Sequence, residues 1–116
     1  QSLEELADHP LIGFDKEPSI RRMEKYGVTL TREAFSFRCD SDVAQYAALR
    51  AGFGIGVCQY ALARRDGLVP VLPGVFAFEL EVWLAMHEDL RTSRRMRLMF
   101  DHLAMRLSDY IASGKH

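Results

Sequence analysis

The sequence predicts an α/β fold, a largely parallel mixed sheet flanked by helices and closed by a long C-terminal helix. Two observations predict it. Short apolar runs alternate with helix-like segments along the whole chain, the order that lays strands side by side with helices covering them. The last quarter carries a single apolar stripe, Met96, Met99, Phe100, Leu103, Leu107, Tyr110 and Ile111, at the three- and four-residue spacing of an amphipathic helix. The 116 residues suffice for one modest domain. There is no internal repeat, low-complexity tract or Ser/Gly/Pro-rich linker.

Each element has a local reason. Ser2-Leu3-Glu4-Glu5 fits a capping box, with Ser2 as N-cap and Glu5 reaching back to its amide. The short helix it opens reaches Ala7, and His9-Pro10 ends it. Leu11-Ile12-Gly13-Phe14 is a brief apolar strand, followed by a loop over 15–18. Ser19 caps a second helix over 20–26, stopped by Gly27, and 28–32 is irregular or briefly extended. Phe35-Ser36-Phe37-Arg38-Cys39 alternates apolar and polar, a strand pattern. Asp40-Ser41-Asp42 then opens a helix on which Val43, Tyr46, Ala47 and Arg50 recur at helical spacing. Gly52 ends it as a left-handed residue.

After Gly52, residues 55–58 form a buried strand, and 60–65 a short helix closed by Asp66-Gly67. Residues 68–72 are extended, with Pro70 marking a strand edge or end, and Pro73-Gly74 turns the chain. Residues 80–86 are the longest strand candidate. Val82, Trp83, Leu84 and Ala85 are apolar in succession, which predicts burial on both faces. Ser93 caps the final helix.

Composition narrows the function. The net charge of −1 leaves no global basic field to attract nucleic acid. No segment approaches the roughly 18 uninterrupted apolar residues of a membrane span. The first ten residues lack the basic start and apolar stretch of a signal peptide, so the expected location is the cytoplasm. Cys39 and Cys58 are not spaced as a CxxC pair, and His9, His87, His102 and His116 are scattered. Neither metal nor cofactor is expected, and the cysteines read as two buried thiols. Arg91, Arg94, Arg95 and Arg97 cluster without interleaved aromatic residues and read as a solvated face. So do Arg21, Arg22 and Lys25. His87-Glu88-Asp89 falls at a strand end with no third ligand near. No nucleophile elbow or acid/base pair supports an enzyme.

The stretch AGFGIGVCQ, residues 51–59, tests the remaining alternative. A dinucleotide fingerprint runs strand, GxGxxG, helix. Here a helix precedes Gly52, a strand follows Gly54, and the spacing is GxGxG. No helix N-terminus faces the loop, so the electrostatic basis for phosphate binding is missing. The glycines instead end a helix and let helix and strand approach closely.

A helix, then Ala51-Gly52-Phe53-Gly54-Ile55 and a short apolar strand, resembles the effector-binding domain of LysR-type transcriptional regulators. Three further segments agree in order and spacing. Leu6-Ala7-Asp8-His9-Pro10-Leu11-Ile12 resembles the family's entry into its second subdomain. Gly67-Leu68-Val69-Pro70-Val71-Leu72-Pro73 resembles its G-L-V-P-V-L strand. Trp83-Leu84-Ala85-Met86-His87, then Ser93 and an amphipathic helix, resembles its last strand and C-terminal helix. The likeness spans nearly the whole chain. One position departs from it: Gln59 stands where the family usually has a proline.

The resemblance implies a periplasmic-binding-protein-like (type II) subdomain. Residues 1–78 would be the second subdomain of the sensor, and 79–116 the crossing strand and the helix returning towards a first subdomain. The winged helix-turn-helix, linker helix and first part of the sensor would lie outside this sequence, which is expected to be a truncated piece. The implied partners are a small-molecule inducer, DNA through the absent N-terminal domain, and a second copy of the chain. The stripe from Met96 to Ile111 is expected to be covered by such a copy or by fold-back, because a bare stripe invites aggregation.

The resemblance places the inducer in a cleft between subdomains. This half would contribute Phe14, Asp15 and Lys16, the junction Cys39-Asp40-Ser41-Asp42, and the crossing strand near Ala85 and Met86. The junction sits at a helix N-terminus, which favours anions. Asp40 and Asp42 already place carboxylates there, so an amine, hydroxyl or neutral polar group is expected to bind better. The simpler reading, compatible with the first, is that Ser41 or Asp40 caps the helix and Asp42 complements its dipole. A solute-binding protein of the same architecture is the alternative, and a small α/β enzyme a third.

Overall fold

The computed structural model describes residues 2–16 and 30–115. The described residues divide into two units, one within Gln1–Cys58 and Leu62–Ala77, the other within Gln59–Ala61 and Phe78–His116.

The first unit is organised around β1 (Leu11–Gly13) and β2 (Phe35–Arg38), which pair in parallel. Leu11 stands opposite Phe35 and Gly13 opposite Arg38, with one irregularity between Leu11 and Ile12. On its other side β1 meets Ile55 in a single parallel bridge. Ile12 N donates to Ile55 O at 2.8 Å, and Ile55 N to Pro10 O at 2.9 Å. β1 is therefore central, and all three of its residues are buried. Parallel strands covered on both faces read as continuous apolar runs, and Leu-Ile-Gly does.

One face of β1 carries the core. Leu6, Leu11, Leu30 and Phe35 cluster there, with Leu3, Ala34, Ile55 and Leu72 packed around them. On the other face Ile12 packs beside Gly56, and Gly56 lies beside Leu49 of α1 (Asp42–Arg50). The inward face of α1 is Ala44, Gln45, Ala48 and Leu49; of the four residues noted at helical spacing, Tyr46 is half-buried and Val43, Ala47 and Arg50 are exposed. Both sets have helical spacing. Packing against β1 selected one of them.

Helix ends follow the expected chemistry where the signal is local. Ser41 caps α1, its Oγ accepting from Ala44 N at 3.3 Å. At the other end Phe53 N donates to Ala48 O and Gly52 N to Leu49 O, both at 3.1 Å. This is a Schellman closure, with Gly52 in the left-handed region at φ 75°. The same closure ends α2 (Tyr60–Arg65), where Leu68 N donates to Ala63 O and Gly67 N to Arg64 O.

Several expectations are corrected. The N-terminal segment is a 3-10 turn, Glu4–Asp8, whose N-cap is Leu3 without a side-chain cap, so the capping box on Ser2 does not form. A 3-10 turn, Arg32–Ala34, precedes β2. Residues 55–58 give a bridge at Ile55, not a strand, and Val57 is exposed. Residues 68–72 form no ladder. The expected helix over 20–26 and the face with Arg21, Arg22 and Lys25 lie outside the described residues.

The second unit holds a 3-10 turn, Glu88–Leu90, and α3 (Arg94–Ser113). Ser93 is the N-cap position, but its side chain makes no cap bond; its carbonyl accepts from Arg97 N instead. Residues 80–86 are not a strand, and Trp83 is 83% exposed. An apolar run becomes a strand only where another strand pairs its amides and carbonyls. Among the described residues none pairs with this one. The stripe of α3 is half-buried at Met96, Phe100 and Leu107 and exposed at Met99, Leu103, Tyr110 and Ile111.

Candidate ligand-binding site

The carboxyl ends of β1 and β2 lie side by side, and Cys39 N donates to Gly13 O at 2.9 Å just past them. In open α/β sheets this edge is where ligands bind. Two of the three segments expected to line the site meet here. Asp40 Oδ1 accepts from Asp15 N at 2.9 Å and Lys16 N at 3.0 Å. One carboxylate oxygen thus holds the turn after β1 against the turn after β2.

The remaining polar groups build outward from that tie. Arg32 donates to Asp15 Oδ1 through Nε, at 3.0 Å, and through Nη2. Arg38 Nε stands 4.0 Å from the same oxygen. The hydrogen bond to Asp15, with the charge attraction behind it, pushes the Arg32 guanidinium further up. Ser41 N donates to Cys39 Sγ at 3.5 Å, and Gln45 Nε2 to Cys39 O at 2.6 Å. Phe14 and Cys39 are half-buried, while Asp40, Ser41 and Asp42 are exposed.

Ser41 thus caps the helix, while Asp40 is engaged by the loop. The carboxylates of Asp15 and Asp40 are partly neutralised by their donors. They repel an incoming anion less than the bare sequence suggests, and the exposed Asp42 remains in the first turn of α1. Met86, half-buried, and Ala85, exposed, belong to the other unit. Sequence reasoning missed Arg32 and Gln45. The signal for Gln45 was a polar residue one helical turn after the N-cap Ser41; Arg32 carried none.

Hollows occur elsewhere in each unit. One of about 120 Å³ lies among Ser2, Glu5, Leu6, His9, Val71 and Leu72. Another of about 190 Å³ lies among Val82, Leu84, Ala104, Leu107, Ser108 and Ile111.

A charged cluster fixes the far end of α1. Asp66, just past α2, accepts from the Tyr46 hydroxyl, from Arg65 Nε at 2.9 Å, and pairs with Arg50 Nε at 2.9 Å. Arg50 also stacks over the Tyr46 ring, 5.9 Å from its centroid. The Arg65 and Tyr46 hydrogen bonds hold the Asp66 carboxyl down to about 2. The Tyr46 hydroxyl, beside that carboxylate, is pushed up.

A carboxylate whose folded pKa lies below its unfolded one stabilises the fold above the unfolded value, near 3.8. That stability is lost as pH falls from about 4 towards 2. Asp66→Asn is therefore expected to lower stability at neutral pH and to flatten the acid limb of a stability–pH profile in that window. An unchanged acid limb in the variant would assign the acid sensitivity to other groups.

The remaining motifs have plain structural roles. His87 Nδ1 accepts from Asp89 N at 3.2 Å and caps the turn it precedes. Arg91, Arg94, Arg95 and Arg97 are exposed, as a solvated face requires. Cys39 and Cys58 are free and half-buried, not fully buried, and burial pushes the Cys58 thiol up. Among the described residues no helix is long and apolar enough to cross a membrane.

Comparison with known families decides the identity. The family model described as the LysR substrate binding domain matches residues 1–108. The chain belongs to that family. It is therefore a LysR-type effector-binding domain, the ligand-sensing domain of a transcription regulator. This family carries a type II periplasmic-binding-like α/β fold, and the parallel pairing of β1 with β2 and the long α3 accord with it. No curated protein and no solved structure matches the chain.

Proposed function

We propose that the chain senses a small-molecule inducer for a LysR-type DNA-binding regulator, in a cleft between two subdomains. Phe14, Asp15 and the junction of Cys39, Asp40, Ser41 and Asp42 form one wall. On this reading 1–78 is the second subdomain and 79–116 the returning segment. DNA contact lies with a separate N-terminal domain, and regulation runs through a homo-oligomer. No bond is made or broken. The inducer favours one arrangement of the subdomains by binding it more tightly, and its differential affinity limits the response.

The observation that carries this reading is the Asp40 tie, which joins the turns after β1 and β2 beside the N-terminus of α1. A wall set before the ligand arrives spares the entropy of ordering it. The ligand group meeting this wall is an amine, a hydroxyl or a neutral polar group, because Asp42 keeps an exposed carboxylate there.

Thermal-shift screening of the chain against polyols, amines and dicarboxylates tests both parts. A binder at about 100 times its Kd stabilises by about 2.7 kcal/mol. The expected binders are hydroxylated or amine-bearing, and Asp42→Asn should improve binding of dicarboxylates. Tight dicarboxylate binding by the unsubstituted chain would overturn the charge preference. Binding that survives disruption of the junction would overturn the site.

A further inference from the structure

Gln59 is the position where this sequence departs from the proline usual in the family resemblance. The Tyr110 hydroxyl, in the last turns of α3, donates to Gln59 Oε1 at 2.5 Å. Proline has no side-chain acceptor, so this bond belongs to chains with a residue of this kind here. A second observation points the same way. A Cβ built on Gly114, just past α3, would meet Ala61 Cβ at 3.6 Å and Ala61 N at 3.7 Å. The end of α3 thus passes close enough to the first residues of α2 that an added methyl group at Gly114 would touch them. Gln59–Ala61 also groups with Phe78–His116, away from its sequence neighbours.

We propose that Gln59 and Tyr110 form a latch that fixes the C-terminal turns of α3 on the entry to α2. The last turn of a helix frays by default, since its final carbonyls have no partner within the helix. α3 ends at Ser113 with Gly114 as C-cap, in a right-handed conformation without the left-handed closure seen at Gly52 and Gly67. Its last carbonyls are met locally, Tyr110 O by Ser113 Oγ at 2.6 Å and Ile111 O by Gly114 N at 3.1 Å, and the Gln59 side chain adds an anchor from outside the helix. The acceptor is the carboxamide oxygen alone, so a carboxylate can replace it and an alkyl group cannot. The latch is independent of where the inducer binds.

Hydrogen–deuterium exchange over residues 107–115 tests it in the full chain. Gln59→Leu and Tyr110→Phe should each speed exchange there by about three- to tenfold, the range for one lost hydrogen bond, and leave β1 unchanged. The double variant should be no faster than either single one. Gln59→Glu should restore protection, whereas Gln59→Pro should behave like Gln59→Leu. Unchanged exchange in the single variants would overturn the latch. So would additive effects in the double variant, or failure of glutamate to rescue while leucine and glutamate variants keep the same melting temperature.

Discussion

Gly54→Ala is expected to destabilise this chain severely. A Cβ there would lie 2.3 Å from Pro10 O and 2.9 Å from Pro10 C. Both are backbone atoms, which cannot rotate away. Relief requires moving residues 54–55 off β1, and that movement breaks two hydrogen bonds, Ile55 N to Pro10 O and Ile12 N to Ile55 O. Overpacking costs about 1–3 kcal/mol, and each lost bond about 1 kcal/mol. A total near 3–5 kcal/mol is a large share of a small domain's stability of about 5–15 kcal/mol. Among the described residues the buried apolar core is Leu6, Leu11, Ile12, Leu30 and Phe35, so loss of cooperative unfolding or of soluble expression is the expected result.

The control is two residues away. A Cβ on Gly56 would meet Ile12 Cβ at 3.3 Å and Leu49 Cδ1 at 3.6 Å. Those neighbours are side-chain atoms that can yield by a few tenths of an ångström, so Gly56→Ala should cost about 1 kcal/mol, at the low end for overpacking. Urea denaturation of the two variants side by side gives the comparison. Equal stability of both would mean that the glycines serve chain flexibility and not close approach.

The close approach at AGFGIGVCQ was legible because its cause is local. A helix stop and small residues beside an apolar pair say that two elements touch, and the phosphate reading failed on element order alone. The ends of α1 and α2 were legible for the same reason: Ser41, Gly52 and Gly67 act on amides and carbonyls within a few residues of themselves. Residues 80–86 were misread because a strand is a relation between two segments. Their apolar run predicts burial, and no periodicity within the run supplies a pairing partner. The inward face of α1 shows a subtler failure. Two sets of residues share helical spacing, and the choice fell to Ala44, Gln45, Ala48 and Leu49 through contact with β1, information that the helix does not carry.

The candidate site divides in the same way. The segments that meet at the carboxyl ends of β1 and β2 follow from the order of elements and from Asp40-Ser41-Asp42 as a helix start. Which carboxylate does what does not follow. Asp40 and Asp42 are equivalent as dipole partners in the sequence, but Asp40 reaches amides at Asp15 and Lys16, across 25 and 24 residues. Arg32 reaches Asp15 across 17. Polar contacts at such separations leave no periodic trace.

Asp40→Ala is expected to cost ligand affinity more than stability. The substitution removes the acceptor shared by the amides of Asp15 and Lys16, and these amides are open enough to bond to water instead. The loss to folding should therefore stay near 1–2 kcal/mol, the lower part of the range for hydrogen bonds to a charged group. The turn after β1, however, loses its hydrogen bonds to Asp40, and a ligand must then order that turn as it binds. Ordering two or three residues costs about 1–2 kcal/mol each, which weakens binding by about thirtyfold or more. Asp40→Asn keeps an acceptor oxygen and should fall between the two, whereas Asp42→Asn removes a charge that holds no loop and should leave the affinity for a neutral ligand unchanged. Titration calorimetry with a binder from the thermal-shift screen, alongside urea denaturation of the same variants, separates the two effects. Equal losses of affinity in the Asp40 and Asp42 variants would mean that the junction acts through charge alone and that the tie to Asp15 and Lys16 has no part in recognition.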